Sequence, residues 1–503
     1  MKGEMIMCGI AGVLQHPSSK NVKSMIEKIA HRGPDGSGVK NFKHGTLGHV
    51  RLAILDVEGG HQPMEYQDTW IAFNGEIYNY RELQQKFLPL EKLKTHSDTE
   101  VLLHLYRLFG ADFVSQLDGM FAFVIYQNGE YLMARDPLGI KPLYYGSRHD
   151  NKHLYFASEV KALQGLVVDI QEFPAGHWFD STHGWKQYYR LDESLYPFTG
   201  SEADALLQIK STLRDAVQKR MLADVPVGVS LSGGLDSSIV SLLACEGTEQ
   251  LHSFVVGAEG SEDLAAAQQM SEFLKTQHHQ LIYSTEDMVK ILPEVLYYLE
   301  TFDPALVRSA IPNYFLAKLA SQHVKVFLTG EGADELYAGY DYLADIHSPQ
   351  NLQTEMIQIT ESLHNTNLQR ADRMSMAYGL EARVPFLDVE SVALALSLPP
   401  EWKLHRGRVP KHILRRAFED DLPANIVNRP KQKFSKGAGS SDLISQLAES
   451  QISDAEFERE SARLKTAWNY SLPNKEALYY YKTMREFYDD EFIFPVMGHS
   501  RSL

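Results

Sequence analysis

Two cysteines in 503 residues, Cys8 and Cys245, leave no material for a disulfide framework and fit a reducing compartment. Long apolar runs are missing too. Nothing reaches the length of a membrane span, and the amino terminus lacks the apolar core of a secretory signal, so the sequence predicts a cytoplasmic protein with no membrane partner. Positive charge is in deficit: 49 Lys and Arg against 65 Asp and Glu give a net charge of −16, which disfavours binding to nucleic acid or anionic lipid. There is no repeat of solenoid period and no low-complexity segment. No His/Cys set has the spacing of a zinc site, and His278-His279 reads as surface or strand-flanking. A chain of this length and ordinary globular composition is expected to hold two or more domains.

What is present is organised around Ser232-Gly233-Gly234-Leu235-Asp236-Ser237-Ser238. A short apolar run, residues 225–231, precedes it and reads as a buried strand; the apolar residues 239–244 follow and read as the start of a helix. The two glycines remove side chains that would keep a phosphate from the backbone, and the helix N-terminus adds free N–H donors. Asp236 would repel a bare phosphate, so its place there points to Mg²⁺ between carboxylate and phosphate. No Gly-Lys-Ser/Thr follows, which excludes a Walker loop. The loop resembles the pyrophosphate-binding loop of enzymes that split ATP into AMP and pyrophosphate. An ordinary Gly-Gly turn with Asp and Ser as helix caps is the plainer alternative.

In the first half, Cys8 opens a small-residue, β-prone run, residues 7–13. It is followed by His31-Arg32-Gly33-Pro34-Asp35-Gly36, by Arg51-Leu52-Ala53-Ile54-Leu55-Asp56 and by Phe73-Asn74-Gly75-Glu76-Ile77-Tyr78-Asn79. Ser97-Asp98-Thr99-Glu100, Asp118-Gly119-Met120-Phe121-Ala122-Phe123 and Arg135-Asp136-Pro137-Leu138-Gly139 come next. Alternating apolar segments between them predict many short strands in a β-rich sandwich. In the second half, Leu206, Ile209, Leu213, Val217 and Met221 recur at helical spacing as a core-facing stripe. Residues 251–257 and 323–328 read as two further strands of a parallel α/β sheet, the last running into Thr329-Gly330-Glu331-Gly332-Ala333-Asp334-Glu335.

These motifs, in this order and ahead of the glycine loop, resemble the glutamine-dependent asparagine synthetases, class II amidotransferases with an N-terminal-nucleophile glutaminase. The resemblance covers nearly the whole chain. It implies an α+β glutaminase sandwich of αββα type over residues 8–190, then an α/β pyrophosphate-loop ATPase domain over residues 202–503; Pro197, Gly200 and Ser201, which interrupt the pattern, put the boundary between Tyr188 and Glu202. It implies Cys8 as nucleophile with its own α-amine as base. The amide of Asn74 and the N–H of Gly75 become oxyanion donors, although Asn-Gly is also the commonest tight-turn dipeptide. Arg51 is expected to clamp the glutamine carboxylate, and Glu76 with Asp98 its ammonium.

For the second half the resemblance implies ATP binding by Leu231, Ser232, Gly233, Gly234, Leu235, Asp236, Ser237, Val256, Thr329 and Gly330. Asp236 and Asp334 are the implied Mg²⁺ ligands, Glu331 the group that deprotonates ammonia, Lys431 a contact to the reacting groups and Arg308 a residue near the acceptor. The segment 381–388 resembles a motif lining this site, and its Arg383 and Asp388 are also suited to a structural ion pair. Met120 is a candidate lining residue of an ammonia passage, and a homodimer is implied.

Two departures stand out. Residues 1–7 precede Cys8, and a peptide bond there would abolish the free amine; with Met7 as the translation start and small Cys8 after it, the active protein is expected to begin at Cys8. Ala305 and Leu306 stand where the family carries paired threonines. That keeps open an amidotransferase acting on a different carboxylic acid. A binding protein without turnover would have lost a catalytic residue, and none is lost.

Overall fold

The computed structural model describes residues 8–33, 35–148, 153–191, 197–404, 409–430 and 443–498. In the first half the strands are β1 (Gly9–Leu14), β2 (Gly36–Phe42), β3 (Gly45–Arg51), β4 (Met64–Tyr66), β5 (Thr69–Ile77) and β6 (Gly119–Gln127). Then follow β7 (Glu130–Arg135), β8 (Tyr144–Ser147), β9 (Leu154–Ala157), β10 (Gln171–Glu172), β11 (His177–Asp180) and β12 (Gly184–Gln187). They form two antiparallel six-stranded sheets, ordered β10-β8-β9-β1-β3-β2 and β12-β11-β7-β6-β5-β4.

Strand periodicity explains the layers. In β1, Ile10 and Leu14 point between the sheets, where they meet Ala72, Ala122, Val124, Met133 and Phe156, while Ala11 and Val13 point outward. The outward face is covered by helix Ser19–Lys28 through Val22, Met25 and Ile26. On the second sheet, Phe73, Phe121, Phe123 and Ile125 face helix Asp98–Phe109 through Val101 and Leu102. Both faces of both sheets are thus covered, which is why β6 reads Met-Phe-Ala-Phe-Val-Ile with no polar alternation, and the result is the expected αββα sandwich.

The second half carries β13 (Val227–Ser230), β14 (His252–Gly257), β15 (Gln277–Ile282), β16 (Val326–Leu328) and β17 (Glu381–Arg383), all parallel, in the order β15-β14-β13-β16-β17. Helix Glu202–Arg220 enters this half through a capping box between Ser201 and Asp204 and buries Ile209, Leu213 and Val217. The reading of three strands is corrected to five. Gln277–Ile282 is a largely exposed edge strand without an apolar face, and β17 is only three residues long, so neither carries a periodic signal. The third expected strand is also shorter than read, beginning at Val326 with His323 in the preceding turn. Chain order reverses at β13, and that reversal opens a crevice at the carboxyl ends of β13 and its neighbours. Among the described residues no helix is long and apolar enough to cross a membrane.

The two halves meet through buried charge. Arg32 is fully buried and donates to Glu159 (2.7 Å), to both oxygens of Asp372 (2.8 and 3.1 Å) and to the carbonyl of Cys8 (3.2 Å). Burial works to raise the Asp372 carboxyl, and Arg32 holds it below the usual carboxylate range. Truncating one member of such a cluster leaves charges buried without a partner. Arg32→Met is therefore expected to destabilise the protein by about 3–5 kcal/mol, read from denaturant midpoints of the full chain. Arg383 does not pair with Asp388 as the motif allowed. It donates to Glu381 (2.8 Å) and lies 3.4 Å from Glu76, while Asp388 takes Arg220 (2.7 Å) and Lys219 (2.6 Å).

Candidate active sites

The first site lies at the end of the layer between the two sheets. Along β5 the inner face is apolar at Ala72 and turns polar at Asn74 and Glu76, two and four residues on, as strand periodicity requires. Cys8 stands just ahead of β1, and its Sγ accepts from the Leu52 N–H (3.1 Å). Burial pushes the thiol up to about 12; Glu381 and Glu76 add to the shift, while the Leu52 backbone and Arg51 oppose it. Such a thiol keeps its proton at neutral pH, so nucleophilic attack requires a base beside it.

Asn74 is buried, and its amide nitrogen has no hydrogen-bond partner among the described residues. An orphaned buried donor costs about 1–3 kcal/mol, which a developing oxyanion would offset. Gly75 has φ +147°, and a Cβ there would lie 2.0 Å from the Met120 carbonyl oxygen, so the bend between Asn74 and Glu76 admits only glycine.

Asp98 begins helix Asp98–Phe109 and accepts from the Ile77 N–H (3.0 Å). Burial pushes its carboxyl up to about 6 against the pull of the Ile77 and Thr99 N–H groups. Burial raises Glu76 as well, with Arg383 opposing and Glu381 and Asp98 adding. Arg51 is buried and donates to the carbonyls of Asp56 (2.6 Å) and Val57 (2.8 Å). If Asp98 must be ionised to hold an ammonium, kcat/KM for glutamine is expected to fall about tenfold per pH unit below pH 6, with Asp98→Asn already low at every pH.

The second site is at the crevice. Ser232-Gly233-Gly234 links β13 to helix Leu235–Cys245, whose N-cap, Gly234, contributes no side-chain cap. Gly233 has φ +68°, and a Cβ on it would lie 2.5 Å from that of Ala266. Asp236 does not cap the helix. Its Oδ2 accepts from Lys411 Nζ (2.5 Å), and the same ammonium lies 2.6 Å from Asp334 Oδ1, so Lys411 joins the two proposed metal ligands. Asp236 Oδ1 is buried without a hydrogen-bond partner, a free hard oxygen donor of the kind Mg²⁺ takes.

A cavity of about 150 Å³ opens here, lined by Leu231, Ser232, Gly234, Asp236, Ser237, Val256, Thr329, Gly330, Glu331 and Asp334. A second, about 90 Å³, lies across the loop between Asp236 and Lys411, Arg415 and Arg429. Glu331 is gripped by the buried Arg370, which also donates to Ser309 (3.0 Å). Burial, Asp334 and Glu331 push the neighbouring Glu335 up to about 7, against the Tyr340 hydroxyl.

The structure therefore brings together Cys8, Asn74, Gly75, Glu76 and Asp98 at one site, and Asp236, Glu331 and Asp334 with the loop glycines at the other. Arg308 is not among the described residues that line these cavities, and it forms a bidentate pair with buried Glu476 (Nε to Oε1 2.8 Å). Lys431 lies outside the described residues. Lys411, Arg370 and Arg429 were not read from the sequence. Each is one cation among many in a basic or helical stretch, and only the fold brings them to the loop.

Residues 7–183 match the model of a glutamine amidotransferase domain, and residues 208–354 and 342–492 match that of asparagine synthase. Fold and sites thus define an amidotransferase half joined to a synthetase half. Over 96% of its length the chain is 38% identical to a probable glutamine-hydrolysing asparagine synthetase of Schizosaccharomyces pombe, covering 94% of that protein. It is 37% identical over 97% of its length to asparagine synthetase B of Escherichia coli, covering 92% of it. Asparagine synthetase 1 of Arabidopsis thaliana is 38% identical over 95% of the chain, with 86% of the plant protein covered. The chain belongs to the family of glutamine-hydrolysing asparagine synthetases.

Proposed function

We propose that the chain makes L-asparagine from L-aspartate, ATP and L-glutamine, releasing AMP, pyrophosphate and L-glutamate. The observation that carries the reading is that the likeness to asparagine synthetases runs through both halves and nearly the full length of the relatives. The domain limits proposed are 8–190 for the glutaminase and 202–503 for the synthetase.

In the first half the α-amine of Cys8 takes the thiol proton, the sulfur attacks the glutamine carboxamide carbon, and Asn74 and Gly75 donate to the oxyanion. The α-ammonium returns that proton to the amide nitrogen as the carbon–nitrogen bond breaks, ammonia leaves, and water cleaves the thioester to glutamate and the free thiol. Arg51 holds the glutamine carboxylate, and Asp98 with Glu76 its ammonium. The α-amine is free only when residues 1–7 are absent from the active protein, which intact-mass measurement checks.

In the second half an aspartate carboxylate oxygen attacks the α-phosphorus of ATP, pyrophosphate leaves, and a β-aspartyl adenylate forms. Mg²⁺, held by Asp236 and Asp334, would supply positive charge for the leaving pyrophosphate. The backbone N–H groups of the loop and Lys411 do the same from the protein side, and the place of Lys431 two residues after Arg429 in sequence favours a like role. Glu331, positioned by Arg370, takes a proton as ammonia attacks the adenylate and AMP leaves. The apolar cluster that runs from Tyr78 and Met120 to Leu231 and Leu235 supports transfer of ammonia within the protein.

The test is a screen of carboxylic acids for ATP-dependent pyrophosphate release. Aspartate is expected to give the strongest signal. Silence with aspartate and release with another acid would overturn the choice of acceptor, which is where Ala305 and Leu306 bear.

A further inference from the structure

Away from both sites, at the opposite end of the parallel sheet from the crevice, three histidines converge. His252 is the first residue of β14, and His279 lies on the neighbouring edge strand β15, in register with Phe254. Two-residue periodicity puts His252, Phe254 and His279 on one face of the sheet. Helix Pro304–Ala320 packs across that face, and the turn after it delivers His323. Each imidazole offers one nitrogen, and the three nitrogens lie within 4.8 Å of one another. His252 Nδ1 is 3.0 Å from His279 Nε2, and the rings of His279 and His323 stack with centroids 3.8 Å apart.

We propose that His252, His279 and His323 bind one divalent late transition-metal ion of the zinc class. Zinc–imidazole bonds of about 2.0–2.1 Å on a tetrahedron place neighbouring nitrogens about 3.3 Å apart, so the 3.0 Å pair needs only to open slightly. The third nitrogen is on exposed His323, whose side chain can turn to the ion and whose exposure gives an entry path and a fourth position for water. Three imidazoles without a carboxylate select zinc, copper, nickel or cobalt over magnesium or calcium.

No ion pair among the described residues joins His252, His279 or His323 to a carboxylate, so this trio is not assembled around an acid. On the other face His278 is engaged by Ser253 (2.9 Å) and takes no part. A bound ion would tie the edge strand β15 to the end of helix Pro304–Ala320, across 71 residues of sequence from His252 to His323.

The experiment uses tag-free, full-length protein stripped with chelator, titrated with Zn²⁺ by calorimetry and with Co²⁺ by visible absorption. One ion per chain is expected, with the intense visible bands of tetrahedral cobalt and a rise in melting temperature on loading. His323→Gln, an exposed substitution, is expected to weaken binding at least about tenfold and to abolish the cobalt bands, with circular dichroism unchanged. His252→Gln should do the same, and His16→Gln, in a separate stacked pair with His153, should bind as the parent does. No stoichiometric binding by the parent, or an affinity unchanged from the parent in His323→Gln and His252→Gln, would overturn the site.

Discussion

Cys8→Ala is expected to lower glutamine-dependent asparagine formation by at least about a thousandfold while synthesis with added ammonium chloride stays near the parent rate. The asymmetry follows from the layout of the molecule. Cys8 sits ahead of β1, at the end of the antiparallel sandwich, whereas Asp236, Asp334 and Lys411 sit at the carboxyl ends of the parallel strands. Removing the sulfur deletes the acyl acceptor without touching a group in the crevice. Parallel assays of glutamate from glutamine and of pyrophosphate with ammonia separate the two. Loss of both activities in a well-folded variant would show that the halves do not act as two sites.

Lys411→Met is expected to have the converse effect. Its ammonium is held between Asp236 and Asp334, and the residue is only 2% exposed. Without it two carboxylates face incoming polyphosphate with one fewer cation, and the loss of a preorganised charge stabiliser costs about 2.7–4 kcal/mol at the transition state. Pyrophosphate release should therefore fall by about 10²–10³ while glutamine hydrolysis continues. Asp236→Ala should likewise stop adenylation and spare glutamine hydrolysis. A Lys411→Met enzyme with unchanged pyrophosphate release would make the ammonium a structural clamp with no part in the chemistry.

The outline of this molecule was legible where the local signal is strong. Apolar segments between successive turns of the first half announced a β-rich sandwich of short strands. The Gly-Gly-Leu-Asp loop between a strand and a helix announced an anion site through the geometry that Gly233 alone permits. The first site was legible through the order of its motifs along the chain, which carried the resemblance that singled out Asn74 and Glu76. What escaped lies in contacts between distant segments. Lys411 reaches Asp236 across 175 residues and Arg32 reaches Asp372 across 340, with no spacing rule to reveal either. The edge strand β15 escaped because its exposed residues have no burial pattern to impose a period. The histidine trio escaped for both reasons, since one member lies on that strand and another in a turn.

The most direct test of the whole account follows one nitrogen atom. The enzyme is given aspartate, ATP and glutamine labelled with ¹⁵N at the side-chain amide, with no ammonium added, and the products are read by mass spectrometry with a pyrophosphate assay. The account predicts asparagine carrying the label in its side-chain amide, formed one-for-one with pyrophosphate and AMP. Asparagine without the label, or pyrophosphate released with no asparagine formed, would contradict it.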